Sequence, residues 1–165
     1  MSGKKVQLRP MQLEDVDAVW MVDQAAFGQS WSREAFVNEL TLNRSAYYLV
    51  LEVDEQICGY CGFWLIIDEA HITNIAVHPD QQGKGYGLRL MGAVMLMAHA
   101  LGAKRMTLEV RVSNQRAQNL YRKLGFVGQG IRRQYYADLE DALIMWLELS
   151  PEVLARLADF LPEED

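Results

Sequence analysis

The chain is poor in cysteine, proline and histidine, and it has no block of positive charge. Two cysteines cannot build a disulfide scaffold. They form a single C-x-x-C, Cys58 and Cys61, with no second pair to complete four zinc ligands. Both fall in Ile57-Cys58-Gly59-Tyr60-Cys61-Gly62-Phe63-Trp64-Leu65, an apolar run that reads as a buried strand. Side chains three apart on a strand point to opposite faces, so two reduced thiols packed as small hydrophobes are expected. The histidines, His71, His78 and His99, are scattered over a predicted strand, a loop and an apolar helix without metal-ligand spacing. They read as strand, turn and core residues, and no metal is expected. A net charge of −6 without a Lys/Arg cluster argues against direct nucleic-acid binding. No apolar run approaches the ~20 residues that span a bilayer. The first residues, Met-Ser-Gly-Lys-Lys, lead into a polar segment rather than a signal-peptide core. A cytoplasmic chain with no membrane partner is the expectation.

What is present is apolar and well patterned. Half of the 165 residues are hydrophobic, enough for one proper core. A single domain over 1–149 is expected, followed by a short acidic helix or tail over 150–165, where Glu152, Asp159, Glu163, Glu164 and Asp165 face only Arg156. Val6–Arg9 is a short strand stopped by Pro10. Glu14–Phe27 reads as an amphipathic helix, with Val16, Val19, Trp20 and Asp23 at helical spacing. Ser32 is a candidate N-cap for Arg33–Leu40. Ala46–Val53 and Ile57–Ile67 read as a hairpin around Asp54-Glu55-Gln56, and His71–Val77 as a further strand. An apolar helix from Arg89 to about Leu101 is closed by Gly102. Arg105–Arg111 is a strand, and Ser113 or Asn114 caps a helix to Leu124. Phe126–Tyr136 and Ala142–Leu149 are the last strands, and Pro151 opens the final helix. This order predicts an α/β (α+β) fold: a mixed, mostly antiparallel central sheet with helices on both faces.

The densest signal lies between the strand ending at Val77 and the apolar helix, in His78-Pro79-Asp80-Gln81-Gln82-Gly83-Lys84-Gly85-Tyr86-Gly87-Leu88. Glycines at 83, 85 and 87 permit close backbone approach and positive φ. Amides at a helix N-terminus, helped by the helix dipole, form an anion site. A P-loop would need G-x-x-x-x-G-K-[ST], which is absent, and the third glycine comes one place early for G-x-G-x-x-G. What remains is Gln82-x-x-Gly85-x-Gly87; a tight strand-to-helix connection without ligand is the competing reading. Farther on, Thr107, Glu109 and Arg111 share one face of their strand and Leu108 and Val110 the other. Glu109 therefore sits near a strand's carboxyl end, where open α/β sheets bind ligands; a same-face ion pair with Arg111 is the plainer alternative. Ala117, Leu120, Tyr121 and Leu124 make a helical stripe. Tyr121 thus reads as core, with its hydroxyl able to emerge at the edge of that face.

The Q-x-x-G-x-G loop resembles the pyrophosphate-binding loop of the Gcn5-related N-acetyltransferases. The run from Glu109 to Phe126, including Asn114 and Tyr121, is similar to that family's second conserved block. Together the blocks and their strands cover roughly residues 5–149. Trp31-Ser32 with Phe36 and Glu39-Leu40, the string Leu108-Glu109-Val110-Arg111, and Arg132-Arg133-Gln134-Tyr135-Tyr136 before Asp141–Met145 resemble one branch most, the bacterial ribosomal-protein alanine N-acetyltransferases. The resemblance implies an enzyme using acetyl-coenzyme A, without metal, on the N-terminal amine of a ribosomal or other protein, as a monomer or weak dimer. It implies Glu109 as proton acceptor and Tyr121 as proton donor. Ile75, Ala76 and Val77 would align the acetyl and pantetheine parts, and the Val77 amide is the candidate donor to a developing oxyanion. Gln82, Gly83, Lys84, Gly85, Tyr86, Gly87 and Leu88 would wrap the pyrophosphate, and Asn114 would contact the cofactor. Lys84 is the only cation in the loop, where many relatives carry arginine. Trp31, Tyr135 and Tyr136 would wall an acceptor groove, with Glu39, Asp138 or Glu140 attracting a basic peptide. Another acceptor (a polyamine, an antibiotic, other N-termini) and a non-catalytic acetyl-coenzyme A sensor remain alternatives.

Overall fold

The computed structural model describes residues 4–28 and 31–160. The chain divides into two compact units, Met1–Trp64 with Thr73–Val94, and Leu65–Ile72 with Met95–Asp165. In chain order the strands are β1 (Val6–Pro10), β2 (Ala46–Val53), β3 (Gln56–Ile66), β4 (Glu69–Val77), β5 (Arg105–Arg111), β6 (Val127–Arg132) and β7 (Ala142–Glu148). The helices are α1 (Val16–Phe27), α2 (Arg33–Thr41), α3 (Tyr86–Ala100), α4 (Gln115–Leu124) and α5 (Pro151–Phe160). The sheet order is β1-β2-β3-β4-β5-β7-β6. β4 and β5 run parallel; β1–β2, β2–β3, β5–β7 and β6–β7 are antiparallel. This is the mixed, mostly antiparallel sheet the sequence predicts.

In the first unit, α1 buries Val16, Val19 and Val22 at helical spacing, joined by Phe36 of α2 and by Tyr48, Val50 and Tyr60 of the hairpin. Each such side chain contributes about 1.5–3 kcal/mol on leaving water. Helix α1 begins at Val16, two residues later than the pattern predicts. Leu13–Asp15 winds as a 3-10 turn instead, because Asp15 is held from outside the helix. The Arg9 guanidinium grips both its oxygens at 2.7 and 2.9 Å, and the Gln12 amide donates to it at 2.7 Å. The β2–β3 turn is shorter than expected. Asp54 and Glu55 both have positive φ, 52° and 69°, as a two-residue hairpin loop requires.

Helix α3 starts three residues earlier than expected. Leu90, Met91, Val94, Met95 and Ala98 are fully buried, but Leu96 is 44% exposed. His99 is also exposed rather than a core residue. In the second unit, β5 alternates as predicted, with Met106, Leu108 and Val110 buried. Asn114, not Ser113, caps α4: its Oδ1 accepts the Ala117 amide at 3.1 Å. Gly125 ends α4 at φ 110°, the left-handed geometry that favours glycine there. Strand β6 stops at Arg132, so Tyr135 and Tyr136 lie in the β6–β7 loop and not on a strand. There Gln134 takes φ 52° and its amide donates to Asp141 at 2.9 Å. Both cysteines are buried and unpaired, and burial pushes both thiols up, away from reactive thiolate character. Among the described residues no helix is long and apolar enough to cross a membrane.

Candidate active site

The first unit carries the glycine loop. After β4, the His78 amide donates to Cys58 O at 2.8 Å, which ties the strand end to β3. Gly59 makes this approach possible: a Cβ there would lie 3.2 Å from Ala76 O and 3.0 Å from Leu90 Cδ1. Pro79–Gln81 forms a 3-10 turn, with His78 Nδ1 accepting the Asp80 amide at 3.1 Å. Gln82 turns back and donates to Val77 O at 3.0 Å. It braces the loop against the strand, one role that its place in the motif did not suggest. Lys84 Nζ reaches Gln81 Oε1 at 3.0 Å. Gly83 and Gly85 adopt φ 82° and 83°, as expected, and a Cβ on Gly85 would meet nothing within 4 Å. Gly87 does not share that conformation; it lies in the first turn of α3, whose opening residue Tyr86 is buried. The amides of Tyr86, Gly87 and Leu88 have no intrahelical acceptor by helix geometry. An open loop with two left-handed glycines, leading into unsatisfied amides, fits an anion bound on backbone.

The β4 side chains nearby are ordered by a buried polar chain. Asp23 is 1% exposed and accepts Tyr60 OH at 2.5 Å. Asn74 Nδ2 donates to the same hydroxyl at 3.0 Å, and the Trp31 amide donates to Asp23 at 3.3 Å. Trp31 packs on Phe36, ring centroids 5.2 Å apart, at the margin of the core. Glu39 receives Tyr48 OH at 2.9 Å, Trp64 Nε1 at 2.6 Å and Asn43 Nδ2 at 2.8 Å. These three neutral donors orient the carboxylate inside its own unit.

The second unit carries the titratable cluster. Glu109, 11% exposed, lines an open concavity of about 370 Å³ with Glu69, His71, Thr107, Arg132, Ile144 and Trp146. His71 Nε2 lies 2.7 Å from Glu109 Oε2, and Arg132 Nε lies 3.6 Å from Oε1. The parallel register that pairs His71 with Thr107 creates the first contact. His71 is the residue sequence reasoning missed, because its meaning depends on which strand neighbours β4. The Glu109–Arg111 ion pair considered from the sequence is not what forms. Arg111 instead holds Asp138 at 2.9 and 3.0 Å and Glu140 at 2.9 Å, and its guanidinium stacks 4.1 Å from the Tyr136 ring centroid. Glu140 also accepts the Ser113 amide at 2.9 Å. These bonds hold both carboxyls below their usual range: Arg111 chiefly for Asp138, Ser113 and then Arg111 for Glu140. Asp138 and Glu140 thus fasten the β6–β7 loop.

Tyr135 and Tyr136 meet edge to face at 5.1 Å. Burial pushes the Tyr136 phenol up to about 12, and burial followed by the Glu109 charge raises Tyr135. Both tyrosines therefore sense the Glu109 carboxylate. Tyr121 is 7% exposed and packs against Phe126 at 5.9 Å, as its helical stripe predicts. Gln118, 3% exposed, donates to Arg111 O and Val112 O at 3.0 Å each, which locks the start of α4 to the end of β5. A larger concavity, about 560 Å³, is lined by Ile131, Arg133, Gln134 and Asp141. Its one carboxylate already accepts the Gln134 amide, and it contains none of the predicted residues.

Residues 16–126 match the model of the acetyltransferase (GNAT) family. The chain belongs to that family. It is an acyltransferase, and members of the family draw acetyl groups from acetyl-coenzyme A. It is 44% identical over 147 residues to a Bacillus subtilis (strain 168) protein provisionally named a ribosomal protein bS18-alanine N-acetyltransferase, covering 88% of this chain and 97% of that one. It is 35% identical over 156 residues to the N-alpha-acetyltransferase of Sulfurisphaera tokodaii, covering 87% and 93%. The crystal structure of the ribosomal-protein-S18-alanine N-acetyltransferase from Escherichia coli superposes with a TM-score of 0.82 at 32% identity, covering 88% and 95%. The GNAT fold and N-acetyltransferase class expected from the two motifs are therefore right.

Proposed function

We propose that this GNAT enzyme acetylates the N-terminal alanine of a small-subunit ribosomal protein in the cytoplasm, by direct attack without a covalent enzyme intermediate. The observation that carries the acceptor class is the 44% identity, over nearly the full length of both chains, to the Bacillus subtilis relative. In this reading residues 1–149 are the catalytic domain and 150–165 an appendage. Acetyl-coenzyme A supplies an acetyl group activated as a thioester. Backbone amides from Gly83 to Leu88 hold its pyrophosphate, with Lys84 the only cation within that stretch. Ile75, Ala76 and Val77 align the acyl arm by backbone hydrogen bonds. Asn114 meets the cofactor through its side-chain NH₂, since its Oδ1 caps α4.

A peptide α-amine has a pKa of ~7.7–8.0, so about a tenth is neutral at pH 7, whereas a lysine amine near 10.4 is almost wholly charged. Removing a proton is a modest task for the first and a severe one for the second, and one carboxylate manages the modest task. Glu109 takes the ammonium proton, the neutral nitrogen bonds to the acetyl carbon, Tyr121 gives its phenolic proton to the sulfur as the C–S bond breaks, and the second nitrogen proton leaves as the amide forms and restores the tyrosine. Glu109 is supported as acceptor by its place on the concavity and by an Oε1 that meets Arg132 only at 3.6 Å. Tyr135, Tyr136 and Trp31 contact the acceptor peptide. The 35% identity to an N-alpha-acetyltransferase favours a second reading, in which protein N-termini more broadly are accepted.

The test is mass spectrometry of an alanine-initiated basic peptide incubated with enzyme and acetyl-coenzyme A. A peptide with a blocked N-terminus and free lysines runs beside it. One acetyl on the free alanine only, lost by about 10²–10⁴-fold in Glu109→Gln and in Tyr121→Phe with cofactor binding intact, is expected. Acetylation of the lysines, or full turnover by both variants, would sink it.

A further inference from the structure

Glu109 is gripped by a second titratable side chain that the reaction scheme leaves without a role. His71 projects from β4 so that its Nε2 lies 2.7 Å from Glu109 Oε2, with side chains 31% and 11% exposed. An ionised carboxylate only accepts hydrogen bonds, so the imidazole N–H is the donor. At 2.7 Å the contact falls at the short end of charge-assisted bonds, which are about twice as strong as neutral ones. The other oxygen is differently placed. Among the described residues Oε1 has only Arg132 near it, at 3.6 Å and so beyond hydrogen-bond distance, and that arginine is 57% exposed on β6.

This asymmetry matters because the last torsion of a glutamate is broad and roughly two-fold. Left alone, the carboxylate would rotate, and a proton acceptor 1 Å out of place can cost about 10²-fold in rate. We propose that His71 is a positioning residue for acetyl transfer: its Nε2–H anchors Glu109 Oε2, so that Oε1 is held toward the concavity as the oxygen that receives the ammonium proton. The inference rests on Glu109 being the proton acceptor. His71 needs no contact with the acceptor or the cofactor. Its contribution is to fix one rotamer of a carboxylate whose remaining partner, Arg132, is exposed and exchangeable for the incoming ammonium.

The experiment is steady-state kinetics of the full chain with acetyl-coenzyme A and an alanine-initiated basic peptide. The variants are His71→Leu, His71→Gln, Glu109→Gln and the double variant His71→Leu/Glu109→Gln, each checked for an unchanged melting profile. His71→Leu is expected to lower kcat about 10–100-fold while the KM for acetyl-coenzyme A stays put. His71→Gln, which retains an N–H donor of similar reach, should recover most of that loss. The double variant should be no slower than Glu109→Gln, because groups acting as a unit are non-additive. Wild-type kcat in His71→Leu beside an inactive Glu109→Gln overturns this inference and leaves the proton-acceptor assignment standing. An active Glu109→Gln overturns the assignment, and the role of His71 with it. A further loss in the double variant as large as in the single one means that His71 acts elsewhere. Should the leucine variant not fold, His71→Gln against His71→Asn, whose shorter arm cannot reach, decides the same point: equal losses in both overturn the proposal.

Discussion

Gly62→Ala tests whether the packing around β2 and β3 is as tight as it looks. Gly62 pairs directly with Tyr48 across the hairpin, and the tyrosine ring lies over it. A Cβ at position 62 would sit 2.2 Å from Tyr48 Cε2, 2.4 Å from Cζ and 2.6 Å from Cδ2. Carbon atoms rest at about 3.5–4.0 Å, so the ring must move by more than about 1 Å. It has little room. Tyr48 is 4% exposed, its edge meets Phe36 with centroids 6.4 Å apart, and its hydroxyl donates to Glu39 at 2.9 Å. Overpacking costs about 1–3 kcal/mol. Pulling the hydroxyl off Glu39 adds about 1–3 kcal/mol. Stiffening the unfolded chain offsets about 0.4–1 kcal/mol. The net loss should be about 1–6 kcal/mol, lowering the urea midpoint at constant m and the Tm by about 2–20 °C. In a Tyr48→Ala background the added methyl meets no ring, and the same substitution should cost less than about 1 kcal/mol. Equal losses in both backgrounds, or an unshifted midpoint in the first, would refute the steric argument.

Gly85→Ala strains only the backbone, since φ is 83° and the new methyl would meet nothing; a left-handed alanine costs about 1–2 kcal/mol. The KM for acetyl-coenzyme A should rise several-fold with kcat little changed, and an unaltered KM would detach the loop from cofactor binding. Asp15 is held below its ordinary 3.8, chiefly by the Arg9 fork with help from the Gln12 amide. A carboxyl depressed in the folded state stabilises it above the unfolded pKa, and that contribution is lost as pH falls through the folded value. Asp15→Asn should therefore be less stable at pH 7 by about 1.5–3 kcal/mol and show a shallower loss below about pH 4. An acid limb as steep as wild type in chemical denaturation would show that other carboxylates set it.

The sequence by itself determined the elements, the family and the loop. Period-two alternation marked Arg105–Arg111, where one face must leave water, and a continuous apolar run marked Ala46–Val53, which is buried along most of its length; both strands have the expected bounds. Glycine spacing marked the turn before α3, because only a residue without Cβ takes φ near 80° cheaply. Local chemistry also named the cap at Ser32 and narrowed that of α4 to Ser113 or Asn114. Partnership was the part that local pattern could not supply. Arg111 could have answered Glu109 two residues away; Asp138 and Glu140, 27 and 29 residues on, take it instead. Asp15 fell inside the predicted helix Glu14–Phe27, but in the structure Arg9 holds it at the end of a 3-10 turn. Tyr135 and Tyr136 looked like strand residues until the β6–β7 loop, fastened by Arg111, removed them from the ladder. His71 read as one more strand residue until the parallel β4–β5 register brought it to Glu109. Hydrophobic period and backbone sterics act within a few residues and are written in the chain, whereas an ion pair is chosen by whichever strand folds alongside, and only the tertiary structure decides that.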